Sequence, residues 1–179
     1  ANTKVGTVEV TITGTGSYIG EIKSSFDILP AKQQIQKLET RFKGFFIDWA
    51  QKGSATGYEI EYSTNADFKD STVKKLTANK PDTLTISGLT AGNKYYVRVR
   101  SYTNVGENVY YGAWSDSKNI TTAKYDITKS AISGISTKTY TGKNITQSVK
   151  VKYNGKTLKS GTDRKSTRLN SSHHRIGDG

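Results

Sequence analysis

Between residues 45 and 122 the chain alternates apolar and polar side chains in runs too short for helices and of the right length for strands. Phe45, Ile47 and Trp49 alternate with Phe46 and Asp48, which predicts a strand with one large apolar face. After the turn-rich QKGSATG comes GYEIEYS, with Tyr58, Ile60 and Tyr62 on one face and Glu59 and Glu61 on the other. Val73 to Leu76 predicts a short edge strand, and Leu84 and Ile86 alternate with Thr83 and Thr85 in the next. GLTAGNKYYVRVRSY then turns Tyr95, Val97 and Val99 inward and Tyr96, Arg98, Arg100 and Tyr102 outward, and a last strand covers about Lys118 to Thr122. Seven short strands with turn signals between them predict an all-β, Ig-like sandwich. Its core is expected from Phe45, Ile47, Trp49, Tyr58, Ile60, Tyr62, Leu84, Ile86, Leu89, Tyr95, Val97 and Val99. Residues 31–38, which follow Pro30, read as a linker running into the first strand rather than as a helix.

Composition agrees with an all-β chain: Thr, Ser, Gly, Ile and Tyr are abundant, and helix-forming Leu and Glu are sparse. A length of 179 residues allows one domain or two. No apolar run reaches membrane-spanning length and no signal peptide opens the chain. Methionine is absent even at position 1, so the expectation is a piece of a longer reading frame whose export signal lies upstream. The net charge of +12 is uneven. Residues 38–122 carry eleven Lys and Arg against nine acids, whereas residues 123–162 carry eight Lys against Asp126 alone. The excess is Lys on short alternating strands rather than Arg clustered with exposed aromatics, which argues against nucleic acid and leaves a solvated surface or attraction to an anionic wall polymer.

Trp49 closing one strand, GYEIEYS in the next, and the run from Leu89 through Gly92 to Tyr95 ahead of VRVR together resemble the fibronectin type III signature, over about residues 31–122. The resemblance implies that Tyr95 packs under a turn and that its hydroxyl meets upstream backbone. The integrin-binding Arg-Gly-Asp tripeptide of that family is absent, so that activity is not implied. VGTVEVTITGTGSYIGEIKSSFDI at the start resembles the closing half of a small β repeat of Gram-positive bacterial surface proteins. TKTYTGKNITQSVKVKYNGKTLKSGTD resembles its opening half, with Asn154-Gly155 as a two-residue hairpin turn. The resulting organisation is a truncated repeat over 1–29, a linker at 30–37, the sandwich at 38–122 and a second truncated repeat at 123–162. From Asp163 the run DRKSTRLNSSH is similar to a translated short-read sequencing adapter, so residues 163–179 are expected to be an adapter-derived, disordered tail, and His173 and His174 are not read as a metal or catalytic pair.

Without those histidines the chain has neither His nor Cys, which removes the usual nucleophile and base arrangements and all thiolate metal chemistry. No catalytic, cofactor-binding or metal-binding residue is assigned, and the chain is expected not to be an enzyme. Glu59 and Glu61 superficially resemble a glycosidase pair, but cross-strand ion pairs with Arg98 and Arg100 account for all four. The TGTG run at 13–16 lacks the strand-to-helix setting of a phosphate loop and reads as a turn. Candidate ligand contacts are Tyr102, Tyr110, Tyr111 and Trp114, in and around a loop at residues 103–113, since loops at a sandwich end commonly carry recognition. The competing reading lays Trp114 across Arg98 or Arg100 as a stiffener. The resemblances imply a structural or adhesive spacer of a modular, extracellular or surface-attached bacterial protein. Its candidate partners are wall polymer, polysaccharide, another protein or neighbouring domains. The alternative is an accessory module, spacing or weakly sugar-binding, of a secreted carbohydrate-active enzyme or peptidase.

Overall fold

The computed structural model describes residues 3–139, 141–143 and 145–165 and divides the chain into two compact units, Ala1–Tyr125 and Asp126–Gly179. His173, His174 and all of the expected tail from Ser166 onward lie outside the described residues.

In the first unit β1 (Gly6–Thr13) and β2 (Glu21–Ile28) form an antiparallel hairpin. Its connection contains the 13–16 turn, closed by Gly14 N–H donating to Gly20 O and Tyr18 N–H to Thr15 O. Two sheets follow. One has the order β3 (Ile35–Arg41), β4 (Gly44–Trp49), β7 (Thr83–Ile86). The other has the order β10 (Lys118–Thr121), β8 (Lys94–Val105), β5 (Gly57–Ser63), β6 (Thr72–Leu76), with β9 (Asn108–Tyr111) also paired to β8. β9 and β10 are two segments of one interrupted edge: β9 covers β8 from Tyr102 to Val105, and β10 covers it from Lys94 to Val97.

The core between the sheets contains Phe45, Ile47, Trp49, Tyr58, Ile60, Tyr62, Ile86, Tyr95, Val97 and Val99, all buried and all on the inward phase of their strands. Leu84 and Leu89 are half-buried against it. Ile35 and Ala55 complete it, and Ile35 shows where the linker expectation fails. The first strand starts at Ile35, inside the 30–37 segment, because Ile35 pairs with Trp49 across a bulge before the regular register resumes at Lys37.

Gly57 is required by a close approach. A methyl there would overlap the Leu76 carbonyl and meet the Tyr102 hydroxyl at 2.8 Å and its ring at 2.9 Å, so the ring of Tyr102 lies over the bare backbone of Gly57.

In the second unit, β11 (Ala131–Ser133) pairs with β12 (Lys150–Tyr153), and β12 with β13 (Lys156–Thr157). The turn between β12 and β13 has Asn154 at φ 46 and Gly155 at φ 78, as its sequence predicts. Val151 is buried there. Arg164, placed by the sequence in the loose tail, is engaged: its guanidinium donates to Val149 O at 2.8 Å, and its backbone N–H bonds Lys159 O.

Trp49 has no exposed surface and tilts against Tyr58 with ring centroids 5.4 Å apart. Trp49→Ala is expected to cost about 3 to 5 kcal/mol in urea unfolding of the full chain followed by near-UV circular dichroism. A midpoint unchanged by the substitution would refute the core assignment.

Candidate functional site

The outer face of the β5–β8 sheet holds the chemistry singled out by the sequence. Their register sets Glu59 opposite Arg100 and Glu61 opposite Arg98, and β6 sets Lys75 opposite Glu59. Both cross-strand ion pairs form: Arg98 Nε donates to Glu61 at 2.5 Å, and Arg100 donates to Glu59 through Nε at 2.9 Å and Nη2 at 2.7 Å. Lys75 lies 3.7 Å from the other oxygen of Glu59. Ser71 Oγ donates to the other oxygen of Glu61. The two carboxylates are therefore nearly buried and spent on cations, which disposes of the glycosidase likeness.

Aromatic rings close over those cations. The Arg98 guanidinium lies 4.0 Å from the Phe68 ring centroid and 4.8 Å from that of Trp114, and Arg100 lies 4.3 Å from Trp114 and 4.1 Å from Tyr111. Lys75 continues the series, 5.7 Å from Tyr111 and 4.3 Å from Tyr102. Phe68, Arg98, Trp114, Arg100, Tyr111, Lys75 and Tyr102 thus alternate ring and cation across the sheet. Each contact contributes about 0.5 to 2 kcal/mol, more where the cation is desolvated.

The four candidate ligand contacts fare differently. Tyr102 faces outward as its strand phase requires but is buried, because Gly57 lets its ring lie flat and its hydroxyl donates to Leu76 O at 3.1 Å. Tyr111 and Trp114 are half-buried in the stack. Tyr110, also half-buried, hydrogen-bonds Thr7 Oγ1 through its hydroxyl at 2.8 Å, which ties the β9 edge to the base of the β1–β2 hairpin. The segment 103–113 expected as a loop is mostly a hairpin. β8 runs on to Val105 and turns at Gly106, φ 60, and the returning strand sets Tyr111 and Val109 opposite Tyr102 and Asn104 on one face and Tyr110 and Asn108 opposite Thr103 and Val105 on the other. The irregular part is the break between β9 and β10, where Gly112 N–H donates to Ser101 O and Ser115 N–H to Val99 O, and where Trp114 sits.

The sequence reading missed Phe68 and Lys75. Phe68 adopts φ 61, a left-handed conformation unusual for a bulky residue, in the turn between β5 and β6. Only the resulting placement of its ring over Arg98 shows what that turn accomplishes. Lys75 was legible in principle, since a hairpin joining β5 to β6 sets a basic residue opposite Glu59. Desolvation pulls the Lys75 ammonium down, but its hydrogen bond to Tyr111 and the influence of Tyr111, Tyr102 and Glu59 outweigh it and raise its pKa. Burial raises the Tyr62 phenol against a hydrogen bond from Thr72 that lowers it. Among the described residues no three His, Cys, Asp or Glu side chains gather as a metal site, and no helix is long and apolar enough to cross a membrane.

Residues 39–116 match the family model of the fibronectin type III domain. The chain contains a fibronectin type III domain. Its two sheets are β3-β4-β7 and β10-β8-β5-β6, and its Tyr95 hydroxyl accepts from the upstream Thr90 N–H at 3.3 Å, as the family resemblance implied. Solved structures similar to the chain include one described as a myokine structure, at 11% identity and TM-score 0.45, matching 53% of this chain and 99% of that one. Another is the FN1–FN3 region of chicken CNTN1, at 17% identity and TM-score 0.46, over 68% of this chain and 42% of that one. A third is a β-1,2-glucanase from Parabacteroides distasonis, at 16% identity and TM-score 0.43, over 63% and 17%. No curated protein sequence matches the chain. Fibronectin type III domains are generally non-catalytic and typically extracellular.

Removing one arginine leaves a nearly buried carboxylate behind, and the two carboxylates differ in what remains. Among the described residues Glu59 keeps Lys75, whereas Glu61 keeps only the Ser71 hydroxyl. Arg98→Ala is therefore expected to destabilise the full chain by about 3 kcal/mol and Arg100→Ala by roughly half of that, measured by urea unfolding near neutral pH. Equal costs would contradict the assigned partners.

Both raised groups, Lys75 and Tyr62, have folded pKa values above their unfolded ones. The stability they contribute is present in full below the unfolded values, about 10.4 and about 10, and is lost as pH rises through the folded ones. Melting temperatures are thus expected to fall above about pH 10, and Lys75→Gln to flatten that fall. An identical alkaline limb in the variant would show that Lys75 is not responsible.

Proposed function

We propose that the chain is a non-catalytic structural and adhesive spacer of a modular secreted or cell-surface bacterial protein, contacting neighbouring domains and wall polymer. The fibronectin type III domain supports a structural or adhesive module in a multidomain protein. The observation that carries the finer reading is the internal use of the aromatic residues. Trp114, Tyr111 and Tyr102 are engaged by Arg98, Arg100 and Lys75, so rings that could have formed a sugar-binding platform instead lock one face of a sheet. Locked side chains suit a module whose task is to keep its length and shape.

Pulling on the full chain between two marker domains tests this. The expected trace has one dominant rupture that releases roughly 25 to 30 nm, the contour of the sandwich strands at up to about 3.6 Å per residue. The rupture force should fall in Trp114→Ala. Gradual extension with no discrete rupture would overturn the spacer reading. Saturable binding of the full chain to polysaccharide, abolished by Trp114→Ala, would replace it with the accessory sugar-binding reading.

A further inference from the structure

The β1–β2 hairpin segregates its side chains completely. Its register places Val8 opposite Phe26, Val10 opposite Ser24 and Ile12 opposite Ile22, so these six residues share one face. Thr7, Glu9, Thr11, Thr13, Glu21, Lys23, Ser25 and Asp27 occupy the other, which takes every charge the two strands carry. The apolar face is open: Val10 is 40% exposed, Ile12 63%, Ile22 70% and Phe26 53%. The connection adds Tyr18, largely exposed, and Ile19, almost fully exposed. A two-stranded sheet is marginal in water without a layer on its apolar side.

We propose that this face is a self-association surface, covered by the same face of the hairpin in a second copy of the chain. Three features favour that occupant. The face carries no charge, so stacking two copies opposes no like charges. The chain as a whole is strongly basic at +12, yet residues 1–29 carry two Lys against three acids, so the hairpin is where two copies repel each other least. A two-fold stack also brings like levels of the stripe together, because Val10 and Ser24 form its central row and the rows with the larger residues lie on either side. An antiparallel stack sets Phe26 of one copy over Ile12 and Ile22 of the other, as two sheets meet in a sandwich. At roughly 150 to 200 Å² per fully exposed large side chain, the stripe leaves on the order of 400 Å² open on each copy. Pairing then buries about 800 Å² in total, below the roughly 1,200 Å² of stable complexes. The association is therefore weak and reversible, and it becomes stronger where copies are held close together. It is independent of the spacer reading.

The chain contains no cysteine, so a single introduced thiol reports unambiguously on which faces meet. Ser24→Cys sits mid-stripe and Ser25→Cys on the opposite face. Under mild oxidation of the full chain at about 100 µM, Ser24→Cys is expected to form a disulfide-linked dimer several-fold faster than Ser25→Cys. In sedimentation equilibrium from about 10 µM to about 1 mM, the average mass should rise from one chain toward two and no further. Ile12→Lys with Ile22→Lys should hold it at one chain, with the sandwich's near-UV circular dichroism unchanged. Ile132→Lys, at another exposed isoleucine of the second unit, should leave association intact. A mass that stays at one chain overturns the proposal, as do equal cross-linking rates, growth beyond two chains, or loss of association in Ile132→Lys.

Discussion

β5 lies between β6 and β8, and all seven of its residues are buried, so its register on β8 decides both faces of the sheet at once. In the observed register Tyr58, Ile60 and Tyr62 enter the core, while Glu59 and Glu61 face Arg100 and Arg98. A slip of one residue would drive both carboxylates between the sheets and strip the tyrosines of their neighbours. The ion pairs add little net energy where solvent reaches them. Their larger effect is on the alternatives, because a carboxylate desolvated without its arginine is costly. They specify the register that the apolar side chains stabilise.

Each arginine also carries that specification outward. Pinned by a carboxylate on its own sheet, it offers a guanidinium face to Trp114, and Trp114 lies in the one stretch where the edge strand departs from β8 between β9 and β10. Trp114 thus engages both arginines from a stretch where the regular pairing of the edge with β8 is interrupted. A lysine could not take this position equally well, since the planar guanidinium stacks and donates in its plane at the same time. Lys75 occupies the end of the series, where it meets Tyr102 on one side and Tyr111 on the other and needs to satisfy only Glu59.

Most of the fold was legible because its signal is periodic. The two-residue alternation assigned Phe45, Ile47, Trp49, Tyr58, Ile60, Tyr62, Val97 and Val99 to the core, and those positions are buried. Strand phase also put Tyr102 outward, which is right, but outward does not mean exposed. Its burial depends on a glycine across the ladder, on Lys75 above it and on a hydroxyl that reaches Leu76, three non-local facts that no window of sequence contains. Phe68 was invisible for a related reason, because its role follows from a backbone conformation that bulky residues rarely adopt. The linker boundary failed at Ile35 because a bulge broke the periodicity that would have revealed the strand. The signals that failed are therefore the aperiodic ones.

The first and last strands of the sandwich belong to different sheets, yet they are joined along a seam. Thr40 Oγ1 donates to Thr121 O, Ala123 N–H donates to Arg41 O, and Phe42 and Ala123 form a parallel bridge. Lys118 reaches across to Ile35 O at the other end of the same seam. Tension entering through β3 and leaving through β10 would run along these contacts rather than across them. Bonds loaded in that direction share the force and fail together, whereas bonds loaded one at a time unzip. The aromatic and cationic stack on the far side of β8 resists the accompanying shear of β8 against β5, since sliding by one residue would take each guanidinium off its ring and its carboxylate together. The edge seam and the locked face thus oppose the same deformation from two directions, and neither requires anything outside the domain to do so.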